Sequence, residues 1–240
     1  MQGLKRTAFS GPALVRLLAQ CADLEVHEPA QSLSDRLSQW LGWTDAIALS
    51  TALGTDPQPV ASPRSASGDD AAAGAQTRAR LVSAITRDES GEPGLHGRRR
   101  TTAVQTPPDA VQIDFAIFRQ HYLSLQQTME SDIGELRSRL RASVAARAGG
   151  MTRLAVVDAV MERTFAARER TLLAQVPVIL GRHFERLKRG QMQAEADTGT
   201  ASNAWLTTFR TDMRNVLLAE LEVRFQPVEG LLAALRTQSQ

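Results

Sequence analysis

From residue 111 to the end of the chain, large apolar residues recur at helical spacing. Val111, Phe115, Phe118, Tyr122, Leu125 and Met129 advance in steps of 4, 3, 4, 3 and 4. Ile133, Leu136, Leu140 and Val144 continue with steps of 4, 3, 4 and 4. A strand would instead place an apolar residue at every second position. A stripe of this kind makes one face of a helix, and that face must bury itself against other helices. The slight lengthening of the period after Met129 relaxes the left-handed supercoil that a strict heptad imposes.

The spacing predicts three long helices in the module 109–240. The first is capped by Asp109 after Pro107-Pro108 and ends at Gly149-Gly150. The second runs from about Thr152 to Ala196. Its seam reads Leu154, Val157, Met161, Phe165, Leu172, Val176, Ile179, Phe184 and Leu187. Pro177 should kink it, because proline lacks an N–H and clashes with the carbonyl four residues back. After a turn at 197–203, the third carries Trp205, Leu206, Phe209, Met213, Val216, Leu217, Leu221, Phe225, Leu231, Leu232 and Leu235, with Pro227 as a second kink. Short connections fold such helices back antiparallel. The expected architecture is a long coiled-coil-like three-helix bundle, or a hairpin that completes its core by oligomerising.

Two segments precede it. Residues 1–54 read as a small helical module. Ser10 is a candidate cap, and Leu14, Leu17, Leu18 and Cys21 make one apolar face. Ser32 and Asp35 have the spacing of a capping box for a second helix. Gly42 either breaks that helix, with Thr44-Asp45 starting another, or is tolerated inside it at about 1 kcal/mol. Trp40 and Trp43, three apart, supply a small core for the hairpin. Residues 55–108 hold Pro57, Pro59, Pro63, Pro93, Pro107 and Pro108 and no aromatic. Their apolar content is too small to offset chain entropy, so a disordered linker is expected. One short helix at 76–87, around Leu81, Val82 and Ile85, is placed to dock on a partner.

Composition narrows the class. Aromatics are 5% and few β-branched runs occur, which with abundant Ala, Leu and Arg gives an all-α chain. The net charge is +2, divided as −1 over 1–54, 0 over 55–110 and +3 over 111–240, too thin for a fold that lives on phosphates. Cys21 is the only cysteine, so no internal disulfide forms. No apolar run approaches the roughly 20 residues that cross a bilayer. Arg16 and Gln20 oppose a cleaved leader, and an amphipathic helix is expected there instead. These features point to a cytoplasmic protein, membrane-associated only through a partner.

The chain shows no constellation that carries chemistry. His27, His96, His121 and His183 have no neighbours at metal-ligand spacing, so neither metal nor cofactor is expected. Gly149-Gly150 precedes Met-Thr-Arg, not a phosphate loop, and no nucleophile elbow occurs. The candidates are partner-binding residues. Trp40, Trp43 and Asp45 form one group, because tryptophan anchors interfaces. Arg98, Arg99 and Arg100 form a second. Arg182, Arg186 and Arg189 form a third on one helix face, which reads first as a solvated face paired with Glu185 and its neighbours, and second as a site for an acidic or phosphate partner.

Phe9-Ser10-Gly11-Pro12-Ala13-Leu14-Val15-Arg16-Leu17-Leu18, followed by Arg36-Leu37-Ser38-Gln39-Trp40-Leu41-Gly42-Trp43-Thr44-Asp45-Ala46-Ile47, resembles a family of proteobacterial proteins of unknown function. Members of that family are typically encoded beside proton-channel proteins of the stator or Tol/Exb type and beside OmpA-like proteins. The resemblance implies no catalytic residues. It implies a partner, possessing a helical tail, in an envelope-spanning proton-channel-like complex. The expected function is therefore a non-enzymatic helical adaptor or scaffold. The alternative is a nucleic-acid-associated coiled-coil protein using the arginine clusters.

Overall fold

The computed structural model describes residues 12–24, 32–54, 67–87, 114–147, 151–198 and 203–237. It is all-α, and no strand occurs among the described residues. The helices are α1 (Ala13–Ala22), α2 (Leu33–Trp40), α3 (Trp43–Gly54), α4 (Ser67–Thr86), α5 (Phe115–Ala145), α6 (Met151–Leu173), α7 (Val176–Thr198) and α8 (Ala204–Thr237).

Helix α5 buries the predicted stripe from Phe118 through Val144. Its cap is Asp114, whose carboxylate accepts from the Ala116 amide at 3.0 Å. The expected cap, Asp109, and Gly149-Gly150 lie outside the described residues. Helices α6 and α7 run back along α5, and α8 returns beside it. Phe118 meets Phe209, Tyr122 meets Glu220, and Arg147 donates to the Leu235 carbonyl at 3.0 Å. Partner numbers rise together, so α5 and α8 are parallel, with α6 and α7 antiparallel to both. Phe118, Phe184 and Phe209 stack edge-on or tilted at one end of the core, with Trp205 against Phe184. Gly181 permits close approach there, since a Cβ would sit 2.9 Å from the Phe115 ring.

Four expectations need correction. Pro177 does not kink one long helix. The chain breaks at Ala174–Gln175, and Pro177 occupies the first turn of a new helix, where its missing N–H is needed by no partner. The Gln175 carbonyl accepts from Val178 and Ile179, each at 3.1 Å. Pro227, in contrast, lies inside a continuous α8. Second, the buried face of α6 is Met151, Thr152, Ala155, Val160 and Leu173, whereas Leu154 and Leu172 are exposed. The periodic reading took the larger aliphatics for the seam, but α6 approaches α5 through small side chains and ion pairs.

Third, the short helix expected at 76–87 within the linker is longer: helix α4 begins at Ser67 and takes in residues 67–75, read above as linker. It packs along α5 and α8 with Leu81 and Ile85 buried. Alanine-rich sequence has high helix propensity, and a few aliphatics suffice once a preformed groove receives them. Fourth, the Trp pair makes no core of its own. Helix α1 packs against α7 and α8 and sends Leu14 and Cys21 into the main core, while α3 packs on α6. Helix α1 ends at Asp23, which is left-handed (φ 56°). The Leu24 amide reaches the Ala19 carbonyl and the Asp23 amide that of Gln20, the paired bonds of a Schellman stop. Ser10 lies outside the described residues, and Pro12 stands at the cap position. Ser32 caps α2 as expected, its hydroxyl accepting from the Asp35 amide at 3.1 Å; the Asp35 carboxylate accepts from that same hydroxyl at 2.7 Å. Gly42 separates α2 from α3.

Candidate functional site

The α2–α3 hairpin treats its two tryptophans oppositely. Trp40 ends α2 and turns inward, its ring edge-on to Phe165 of α6 at 6.3 Å between centroids. The Arg168 guanidinium lies 4.6 Å over the Trp40 ring, a cation–π contact. Trp43 opens α3 and is 82% exposed. Ile47, one turn on, and Leu53 at the far end of α3 are also exposed. Asp45 sits half-buried in the first turn of α3, where a carboxylate suits the helix dipole. Trp43 and Ile47, four apart, therefore share an apolar face on a hairpin held by Trp40.

The arginines do not assemble into one basic face. Arg98, Arg99 and Arg100 lie outside the described residues. Arg182 and Arg189 are exposed on α7, with Arg189 donating to the Glu185 carbonyl at 3.2 Å. Arg186, between them, turns inward. It donates to the Cys21 carbonyl and to His183 Nδ1, each at 2.9 Å. Because that nitrogen accepts, the His183 proton sits on Nε2, which faces the Asp212 carboxylate at 2.7 Å. Sequence reasoning missed this cluster because Asp212 comes from α8 and Cys21 from α1.

A second buried network also went unseen. Glu220 on α8 has no exposed surface. Its carboxylate accepts from the Tyr122 hydroxyl at 2.6 Å, from the Gln126 amide at 2.9 and 3.0 Å, and from Arg224 Nε at 2.9 Å. Gln126 also reaches the Leu173 carbonyl at 3.2 Å, where α6 ends, and Arg224 donates to Glu169 at 3.1 Å. The buried charge is thus paired and its oxygens satisfied, the condition under which such a charge is tolerated. Burial and the Glu220 charge push the Tyr122 hydroxyl far above its ordinary range. Near the α5–α6 crossing, Arg137 clasps Asp158 with two nitrogens at 2.7 and 2.9 Å, and Arg141 bridges Asp158 and Glu162.

Beside this network a cavity of about 380 Å³ opens between α5, α6 and α8, floored by Met129, Ile133, Phe165 and Pro227. Its arginines are already matched by carboxylates of the same wall. Among the described residues no three or more His, Cys, Asp or Glu side chains are placed to hold a metal ion. No described helix is long and apolar enough to cross a membrane.

Helix α4 is held on α5 and α8 by apolar burial and by ion pairs. Leu81 and Ile85 contribute about 1.5–3 kcal/mol each on full burial. Its ion pairs with Glu222, Glu229, Asp132 and Arg139 are half exposed or more on at least one side, worth about 1 kcal/mol or less apiece. Against them stands Asp70, whose carboxylate is wholly buried and makes no hydrogen bond. Arg139 Nε, at 3.5 Å, is the cation beside it. A buried group left so costs about 1–3 kcal/mol.

Together these features define an all-α bundle protein with an ionic core and an exposed tryptophan on a docked hairpin. Its sequence matches, over residues 1–237, the family model described as protein of unknown function (DUF3348), and the chain belongs to that family. No curated protein and no solved structure matches it.

Proposed function

We propose that this protein is a non-enzymatic helical adaptor that uses the Trp43–Ile47 face of α3 to hold a partner protein. The observation that carries the reading is the split between the tryptophans. Trp40 is spent on fixing the hairpin to α6, while Trp43 stays 82% exposed beside it. Exposing a large aromatic on an ordered helix suits an interface anchor, because little side-chain entropy remains to be lost on binding. The partner we favour is a helical surface of an envelope-spanning proton-channel-like complex, in keeping with the family resemblance of residues 9–47. Nucleic acid is the weaker reading, since Arg186 turns away from Arg182 and Arg189 to bind Cys21 and His183.

The test is native affinity purification of the tagged full-length protein from its own cells with gently solubilised membranes, run beside Trp43→Ala. Recovery of channel-type membrane subunits, lost in the variant, is the expected result. Recovery unchanged by the substitution, or a binding activity toward DNA or RNA that weakens steeply with salt, overturns it.

A further inference from the structure

Pro227 lies inside the continuous helix α8 and lines the cavity between α5, α6 and α8. Proline has no N–H, so the carbonyl four residues back, that of Val223, loses the donor a helix ordinarily gives it. Val223 lines the same cavity. A helical carbonyl points along the axis toward the residue four further on, here the proline ring. The cavity floor therefore carries one backbone acceptor that needs a donor from outside the helix. We propose that this cavity binds a small uncharged molecule made of an apolar ring and one hydroxyl or N–H donor. The site is separate from the Trp43 surface and does not depend on it.

The walls set the rest of the ligand's chemistry. The rim is charged but balanced. Arg137 faces Glu162 at 3.7 Å, Arg170 faces Glu130 at 3.8 Å and Arg224 faces Glu169 at 3.1 Å. All of these side chains line the cavity, cation matched to anion. An ion entering would have to break a pair rather than complete one, so net charge gives a ligand no advantage. The floor is apolar, built from Met129, Ile133, Met161 and Phe165. Methionine adapts its shape to a guest, and its sulfur packs well against an aromatic ring. The volume of about 380 Å³ is at the small end of the range of about 300–1,000 Å³ for such sites. It suits a single ring with a short alkyl arm.

Gly134 keeps the space open. It stands inside α5, where glycine weakens a helix relative to alanine. A Cβ built on it would meet nothing within 4 Å, so no neighbouring helix requires the glycine. What a larger side chain would take up there is the cavity itself, since Gly134 lines it.

The probe is para-propylphenol, titrated into the full-length protein at neutral pH and followed by saturation-transfer NMR of the ligand. Its methyl ether keeps the body and loses the donor, whereas para-propylbenzoate keeps the body and adds a charge. We expect the phenol to bind with Kd below about 1 mM and the ether about fivefold more weakly. The benzoate should not displace the phenol. Gly134→Leu should abolish binding and keep the cooperative unfolding of the bundle. Pro227→Ala returns a donor to the Val223 carbonyl, so phenol and ether should bind that variant alike. Absence of phenol binding at about 1 mM overturns the proposal. So does equal binding of phenol and ether by the wild type, displacement by the benzoate, undiminished binding by Gly134→Leu, or a phenol preference that survives Pro227→Ala. If Gly134→Leu does not fold, the Pro227→Ala comparison decides alone.

Discussion

The Tyr122 hydroxyl on α5 donates to the Glu220 carboxylate on α8 at 2.6 Å, and neither side chain has more than 1% of its surface in solvent. The pair fixes the register of two parallel helices that share no turn. Removing the carboxylate should take one partner each from Tyr122, Gln126 and Arg224, leaving Gln126 the Leu173 carbonyl and Arg224 its pair with Glu169. Glu220→Ala is expected to cost about 3–5 kcal/mol, and Tyr122→Phe about 2 kcal/mol. Urea unfolding of both single variants and the double variant checks this. The double variant should cost clearly less than the sum, because the two changes break one bond.

Cys21 makes stability depend on alkaline pH. Burial, then the Asp212 charge, pushes its thiol up to about 11 from 9.0, with Arg186 acting the other way. A group whose value is raised by folding contributes fully below its unfolded value and loses that contribution as pH climbs toward the folded one. The loss therefore begins near pH 9 and is complete near pH 11. Between about pH 8 and pH 10 the wild type should lose about 1 kcal/mol more than Cys21→Ala, read from denaturation midpoints. Equal losses would show that the thiol reaches water.

Trp40 and Trp43 should separate in a stability assay. Trp40→Ala removes the contacts with Phe165 and Arg168 and should release the hairpin. Amides of residues 33–54 should then exchange faster while the bundle's midpoint moves by less than about 1 kcal/mol. Trp43→Ala should change neither by more than about 0.5 kcal/mol. A global loss from Trp40→Ala would mean that the hairpin unfolds together with the bundle.

Asp70→Ala should stabilise the protein by about 1 kcal/mol, an unusual sign for a fully buried position. Asp69 retains its 2.6 Å bond to Arg139, so the cation is not orphaned. Thermal unfolding of the single variant measures it. A destabilised variant would show that the Arg139 contact and the helix dipole outweigh the missing hydrogen bonds.

Local patterns were readable from sequence, and associations between distant segments were not. The α5 stripe, the α8 stripe, the Leu14–Cys21 face and the Ser32 cap each depend on residues within a turn or two, and each is present. The α6 seam misled because its buried face is built from Thr152, Ala155 and Val160, and because Arg137 and Arg141 supply the attachment by ion pairs. Of helix α4 only the part around Leu81, Val82 and Ile85 was legible as a helix; residues 67–75 looked like linker because they hold no large aliphatic and pack only against α5 and α8. Trp40 and Trp43 drew notice as a pair, yet which of them faces outward depends on Phe165, more than a hundred positions away. The Glu220 and His183 clusters each draw on three or more helices. A glutamate three residues past Leu217 in an apolar stripe was the one local hint of the first.

The parallel run of α5 and α8 has a mechanical consequence. The start of α5 and the finish of α8 lie at opposite poles of the bundle. A pull applied between those points loads the Tyr122–Glu220 and Phe118–Phe209 contacts lengthwise, so they must slide past one another together. Peeling them apart singly would need the opposite arrangement. A protein tethered at its two poles would therefore behave as a strut, yielding at high force and over a short extension.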